Sequence, residues 1–90
     1  MTYRIRIGRR VCKEMTRLSR QDQARILAAV KALAEDPRPA GCRPLKGAGQ
    51  GTYRVRVGDY RVVYVVREDE QVILVARVAR RSESTYRGLR

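Results

Sequence analysis

The sequence predicts an α+β domain of order β-α-α-β-β-β, a two-helix hairpin packed on one face of a four-stranded antiparallel sheet. Three observations carry this expectation. Near the N-terminus, "TYRIRI" alternates arginine with β-forming residues. From Val11 to Glu35 the apolar spacing becomes helical. After residue 51 the alternation returns in three consecutive runs.

Each element has its own local reason. In the first run Tyr3, Ile5 and Ile7 share one face, and Arg4 and Arg6 share the other. Val11, Met15 and Leu18 then fall at i, i+4 and i+7, one side of a helix. Ser19 with Asp22 three residues on is a weak capping box that starts a second helix. "QARILAAVKALAE" is rich in helix formers, and Ile26, Leu27, Val30 and Leu33 give it an apolar stripe. Asp36-Pro37 ends it, because the residue before a proline avoids helical geometry. "DPRPAGCRPLKGAGQG" reads as a long irregular connection with Leu45 anchored in the core. Strands are expected at about 52–57, 60–67 and 71–79, the first two joined by Gly58-Asp59 and the last two around "EDE". The tail from residue 80 reads as polar and mostly irregular.

Composition narrows the function. The chain carries 21 Lys+Arg against 9 Asp+Glu, a net charge of +12, which points to an anionic partner. Residues 1–90 form a single domain, too short for more than one modest core. There is no histidine, and Cys12 and Cys42 make no C-x-x-C, so no metal site is expected. One thiol on a helix and one in a loop is the expected arrangement, not a disulfide. No apolar run is long enough for a membrane span, and the basic N-terminus lacks the apolar core of a signal peptide. The expected location is the cytoplasm.

The two-residue turn fixes a register. Val57 faces Tyr60, Arg56 faces Arg61, Val55 faces Val62 and Arg54 faces Val63. Tyr53, Val55, Val57, Tyr60, Val62 and Tyr64 then form the face under the helices, and Arg54, Arg56 and Arg61 project from the other. For the last strand, a loop of odd length places Val72, Leu74, Ala76 and Val78 under the helices and Arg77 on the arginine face, with Arg81 continuing that parity. An even loop pushes Arg77 into the core, where an unpaired charge is costly. Like charges set opposite each other destabilise a sheet. Arginines collected on one face without interleaved carboxylates therefore suggest a phosphate site, since the planar guanidinium matches phosphate oxygens.

"LAEDPRP", "PLKG", "YRVRVGDYRVVY" and "VARRSESTYR" together resemble the RelE/ParE superfamily of bacterial and archaeal toxins over nearly the whole chain. The ending looks closer to RelE. The resemblance implies a toxin held in check by an antitoxin encoded beside it, RelB-like, with an acidic or mixed-charge helical segment. It implies a metal-independent, cofactor-free endoribonuclease that cuts mRNA on the ribosome by 2′-hydroxyl attack and so inhibits translation. It further implies that operator DNA is bound only through the antitoxin. The implied catalytic residues are Arg56, Arg61, Arg81 and Tyr86, with Arg54, Arg77, Lys46 and Arg80 as RNA- or phosphate-binding positions. Arg56 and Arg61 stabilise charge on the phosphorus oxygens. Arg81 stabilises or protonates the leaving 5′-oxygen, and Tyr86 stacks on a base. RelE members carry lysines where this chain has Arg54 and Arg56, which leaves the general base without an owner, because an arginine does not give up its proton. Glu83 is the only carboxylate near the C-terminal motif. Either positioning and charge suffice, or the ribosome supplies the base, or the enzyme is slow or specialised. The alternatives within the same fold are a ParE-like poison of DNA gyrase and a degenerate member that binds only antitoxin or RNA.

Overall fold

A computed structural model describes residues 2–80. Arg81, Glu83 and Tyr86 lie outside the described residues. The elements are β1 (Arg4–Ile7), α1 (Arg9–Thr16), α2 (Arg20–Glu35), β2 (Arg43–Pro44), β3 (Thr52–Val57), β4 (Tyr60–Arg67) and β5 (Val72–Arg80). The sheet is mixed, in the order β1-β5-β4-β3-β2.

Two features depart from the predicted four-stranded antiparallel sheet. First, the irregular connection contributes a short fifth strand. Arg43 and Pro44 pair with Arg54 and Tyr53, and Leu45 beyond them is buried as expected. Second, β1 runs parallel to β5. A tight hairpin forces antiparallel pairing, but β1 and β5 are separated by both helices and three strands. That is ample for the long crossover that parallel neighbours need.

The helices begin and end where their sequence signals lie. Ser19 Oγ accepts the Asp22 N–H at 3.1 Å and so caps α2. Asp36 closes that helix, its N–H still bonded to Ala32 O. Val11, Ile26, Val30 and Leu33 are buried against the sheet. Leu27 is not: it is 39 % exposed, because it sits one residue, about 100° of helix, around from Ile26. Ile7, the last residue of β1, is likewise left at the surface.

The register of β3 against β4 is the expected one, with Arg56 opposite Arg61. Gly58 has φ +59, which the turn requires. Gly51 also needs to be glycine: φ is +83, and a Cβ there would lie 3.0 Å from the carbonyl oxygen of Val66.

The register of β5 is a correction. Arg67 pairs with Val72, so the connecting loop has four residues and is even, not odd. Gln71 at φ +56 lets the chain turn without a glycine. Val72 and Leu74 therefore face away from the helices, and Ile73 and Val75 face them. Unbroken alternation would now send Arg77 into the core. Between the pairs Val63–Arg77 and Tyr64–Val75, however, the register slips and Ala76 is left over as a bulge. The bulge restores Arg77 to the arginine face and Val78 to the helix side. The expected side for Arg77 is thus reached by a different route.

Two apolar clusters make the core. Val11, Ile26, Val30, Tyr60, Val62, Val75 and Val78 form one, and Leu33, Tyr64, Val66 and Ile73 the other. Tyr64 is fully buried, stacks on Tyr53 with centroids 5.9 Å apart, and donates its hydroxyl to Pro37 O at 2.8 Å. Burial pushes this hydroxyl above the ordinary tyrosine value near 10. The folded protein thus disfavours the phenolate that the unfolded chain forms more readily. This stability is complete below about pH 10 and is lost as pH rises toward the folded-state pKa. Tyr64→Phe is expected to cost about 1 kcal/mol at neutral pH through the lost hydrogen bond. It is also expected to make alkaline unfolding shallower in a denaturant series from pH 8 to 11. An unchanged alkaline slope would refute the assignment.

Candidate phosphate-binding face

The strands turn one side to the helices. The pairing registers assign Arg4, Arg6, Arg43, Arg54, Arg56, Arg61, Arg67 and Arg77 to the other. In one row Arg43, Arg54, Val63 and Arg77 are aligned across four strands; in the next, Arg56, Arg61 and Ala79. None of the strand positions on this face is a carboxylate. Val63, Val72 and Ala79 are buried between the arginines, giving the face an apolar floor.

The positions differ in how firmly they are held. Arg56 is exposed on β3, whereas Arg54 and Arg61 are half-buried. Arg77 is 9 % exposed, and its Nε donates to Glu14 Oε2 at 2.8 Å. The second oxygen of Glu14 accepts the Val78 N–H at 2.8 Å. β1 pairs with β5 only as far as Val75, so Glu14 from α1 takes over the open edge beyond it. Sequence reasoning missed this contact, because Glu14 lies only one position before Met15 and reads as an ordinary polar-face residue.

Not every expected position joins the face. Lys46 is exposed in the connection after β2. Arg80 pairs with Tyr60 and therefore lies on the helix side, its guanidinium 5.7 Å from the centre of the Tyr60 ring. The Tyr60 hydroxyl, pushed up chiefly by burial, donates to Asp22 Oδ2 at 3.1 Å.

At the opposite end of the sheet a polar cluster uses up another acidic group. Arg38 Nε donates to the Tyr53 hydroxyl at 3.0 Å and Nη2 donates to Glu68 Oε1 at 2.7 Å. Tyr3 donates to Glu68 Oε2 at 2.7 Å. Arg38, with help from Tyr3, holds the Glu68 carboxyl below its usual range, and the bond to Glu68 pushes the Tyr3 hydroxyl up. Cys12 and Cys42 are both free thiols. Among the described residues no group of three His, Cys, Asp or Glu is placed to hold a metal, and no helix is long and apolar enough to cross a membrane.

The arrangement is suited to holding a chain of phosphates. Guanidinium groups on neighbouring strands give paired donors, and the sheet keeps them fixed. It is not suited to taking a proton, since arginine stays charged at any working pH.

Residues 3–85 match the family described as "ParE toxin of type II toxin-antitoxin system, parDE". The chain is 31 % identical over 91 residues to a protein named "Putative toxin RelE1" from Methanocaldococcus jannaschii, covering 98 % of this chain and 99 % of that one. The toxin in a crystal structure of the archaeal RelE–RelB complex from Pyrococcus horikoshii is 32 % identical and superimposes with a TM-score of 0.81, over 93 % of this chain and 100 % of that one. The fold extends to more distant structures. One is the RelBE2 complex of Mycobacterium tuberculosis at 22 % identity and TM-score 0.79, covering 90 % of this chain and 100 % of that one. Another is the E. coli RelBE complex at 24 % and 0.76, covering 90 % and 99 %. The chain therefore belongs to the ParE toxin family of type II toxin–antitoxin systems, within the RelE/ParE superfamily.

Proposed function

We propose that this toxin is a ribosome-dependent mRNA endoribonuclease of the cytoplasm, held inactive by a RelB-like antitoxin. The observation that carries the reading is the arginine face, which repeats one charge across five strands at a cost in sheet stability. Such a cost fits a face that serves an anionic substrate.

In the reaction the 2′-oxygen of one nucleotide forms a bond to the adjacent phosphorus, and the bond to the 5′-oxygen breaks. The products are a 2′,3′-cyclic phosphate and a 5′-hydroxyl. The 2′-hydroxyl loses one proton and the leaving oxygen gains one. Arg56 and Arg61 stabilise the negative charge that builds on the non-bridging oxygens. Arg54, Arg77 and Lys46 hold flanking phosphates, with Arg80 further off on the helix side. Arg81 serves the leaving oxygen and Tyr86 stacks on a base; both lie outside the described residues. Proton acceptance falls to a group beyond the arginine face, with the ribosomal A site as its source. Positioning and fixed charge are then the toxin's own contribution. Operator DNA is engaged only by the complex, through the antitoxin.

One observation favours a second reading, a ParE-like poison of DNA gyrase. The face has charge for binding but no strand residue able to accept a proton. Controlled expression in cells, with mRNA 5′ ends and DNA supercoiling read in parallel, separates the two. Codon-phased cuts in translated messages are expected. Gyrase-linked DNA breaks with intact messages would establish the second reading instead.

A further inference from the structure

The two arginines at the tip of the β3–β4 hairpin are not equally supported by the sheet. Arg61 lies on β4, between β3 and β5, and pairs with Ala79 as well as with Arg56. Arg56 lies on β3, whose outer edge β2 covers only at Tyr53 and Arg54. Among the described residues no strand flanks β3 from Val55 to Val57 on that side. A strand end paired on one side alone opens more easily than the middle of a sheet. Its position therefore depends on what holds the turn.

Two side chains of α2 reach that turn from the helix layer. Asp22, fixed in the first helical turn by the Ser19 cap, accepts the Tyr60 hydroxyl at 3.1 Å. Arg25 stands one helical turn further on, on the same side of α2. Its guanidinium fills the space that a side chain at position 58 would take. A Cβ on Gly58 would lie 3.3 Å from Nη2, 3.5 Å from Cζ and 3.6 Å from Nη1. Three nearly equal distances mean that the group turns its flat face to the glycine. The pocket left between α2 and the tip is about 20 Å³, far too small for a ligand, so this is a packed joint.

We propose that Arg25 is a positioning residue: laid against Gly58, it holds the open end of β3 so that Arg56 meets the same phosphate as Arg61. The inference rests on the ribonuclease reading above. Arg25 acts through packing and not through its charge, because it approaches the hairpin from the helix side while Arg56 and Arg61 project from the other. It acts on Arg56 more than on Arg61, because only Arg56 lacks a second neighbouring strand.

The test is single-turnover cleavage on programmed ribosomes, arranged as a double-mutant cycle. Arg25→Ala is expected to slow cleavage at saturating ribosomes by about fivefold and to leave the half-saturating concentration within about twofold. In an Arg56→Ala background the same change is expected to cost less than about 1.5-fold, because the residue it positions is gone. Gly58→Asn supplies a second route to the same state. Asparagine accepts the positive φ, but its Cβ displaces the guanidinium, and the loss should again be about fivefold. Arg25→Lys keeps the charge without the flat group and should stay near the alanine variant. Wild-type cleavage by both Arg25→Ala and Gly58→Asn overturns the inference. So does full activity of Arg25→Lys, which would make the charge the active property. An equal loss from Arg25→Ala with and without Arg56 also overturns it, since Arg25 would then act on the RNA or on the fold as a whole. If the wild-type toxin cleaves no message on the ribosome, the ribonuclease reading fails, and the role of Arg25 with it.

Discussion

Arg61→Ala is expected to lower ribosome-dependent mRNA cleavage by about 10²–10³-fold, the usual loss when one fixed donor to a developing oxyanion is removed. Arg61 is half-buried on β4, flanked by β3 and β5, so its guanidinium is delivered with little freedom. Arg56 opposite it is exposed, and its loss should cost less, about tenfold. Arg61→Lys keeps a charge but gives up the planar fork and should recover only part of the activity. The hairpin supplies an internal control. Two arginines face each other across it, and replacing Arg56 with the β-former threonine should raise stability by about 0.5 kcal/mol. Activity falling while stability rises is the signature of a site held against the preferences of its own fold. The check is single-turnover cleavage on programmed ribosomes beside thermal unfolding of the same preparations. If Arg61→Ala cleaves like the wild type, the arginine face is not where the phosphate is attacked.

Much of this molecule is legible in its sequence, and the limits are physical. The hairpin from Tyr53 to Tyr64 is readable because a two-residue turn with glycine leaves one register. Ser19 and Asp36 are readable because capping chemistry is local. The loop before β5 is not. It turns on Gln71 at φ +56, a conformation that usually advertises itself with glycine, and the bulge at Ala76 then reverses the alternation a second time. Two parity errors cancel, so reasoning from the cost of burying Arg77 reaches the correct face through an incorrect loop. The parallel placement of β1 is hidden for another reason. Its partner is 68 positions away at Arg4–Val72, and no local pattern encodes which strand a distant segment will meet. Separation of Arg80 from the arginine face follows from the same bulge. Among the candidate residues, Arg54, Arg56, Arg61 and Arg77 come together.

Glu14→Ala is expected to cost about 3 kcal/mol, among the largest effects open to any surface-facing position of this chain. Its carboxylate makes two bonds of 2.8 Å, one to the Arg77 guanidinium and one to the Val78 N–H. Both groups are nearly out of reach of water: Arg77 is 9 % exposed and Val78 4 %. Truncation removes the oxygen from a backbone donor at an open strand edge and the counter-charge from a buried cation, and each loss carries a desolvation penalty. Glu14→Gln separates the two. The amide oxygen can still accept from Val78, so that variant gives up the ion pair alone and should cost about half as much. In a domain whose whole stability is on the order of 5–10 kcal/mol, the alanine variant should lower the unfolding midpoint by about 15 °C. Thermal and urea unfolding of the three proteins decide it. An alanine variant within about 0.5 kcal/mol of the wild type would mean that the bulge holds Arg77 on its face without help from α1.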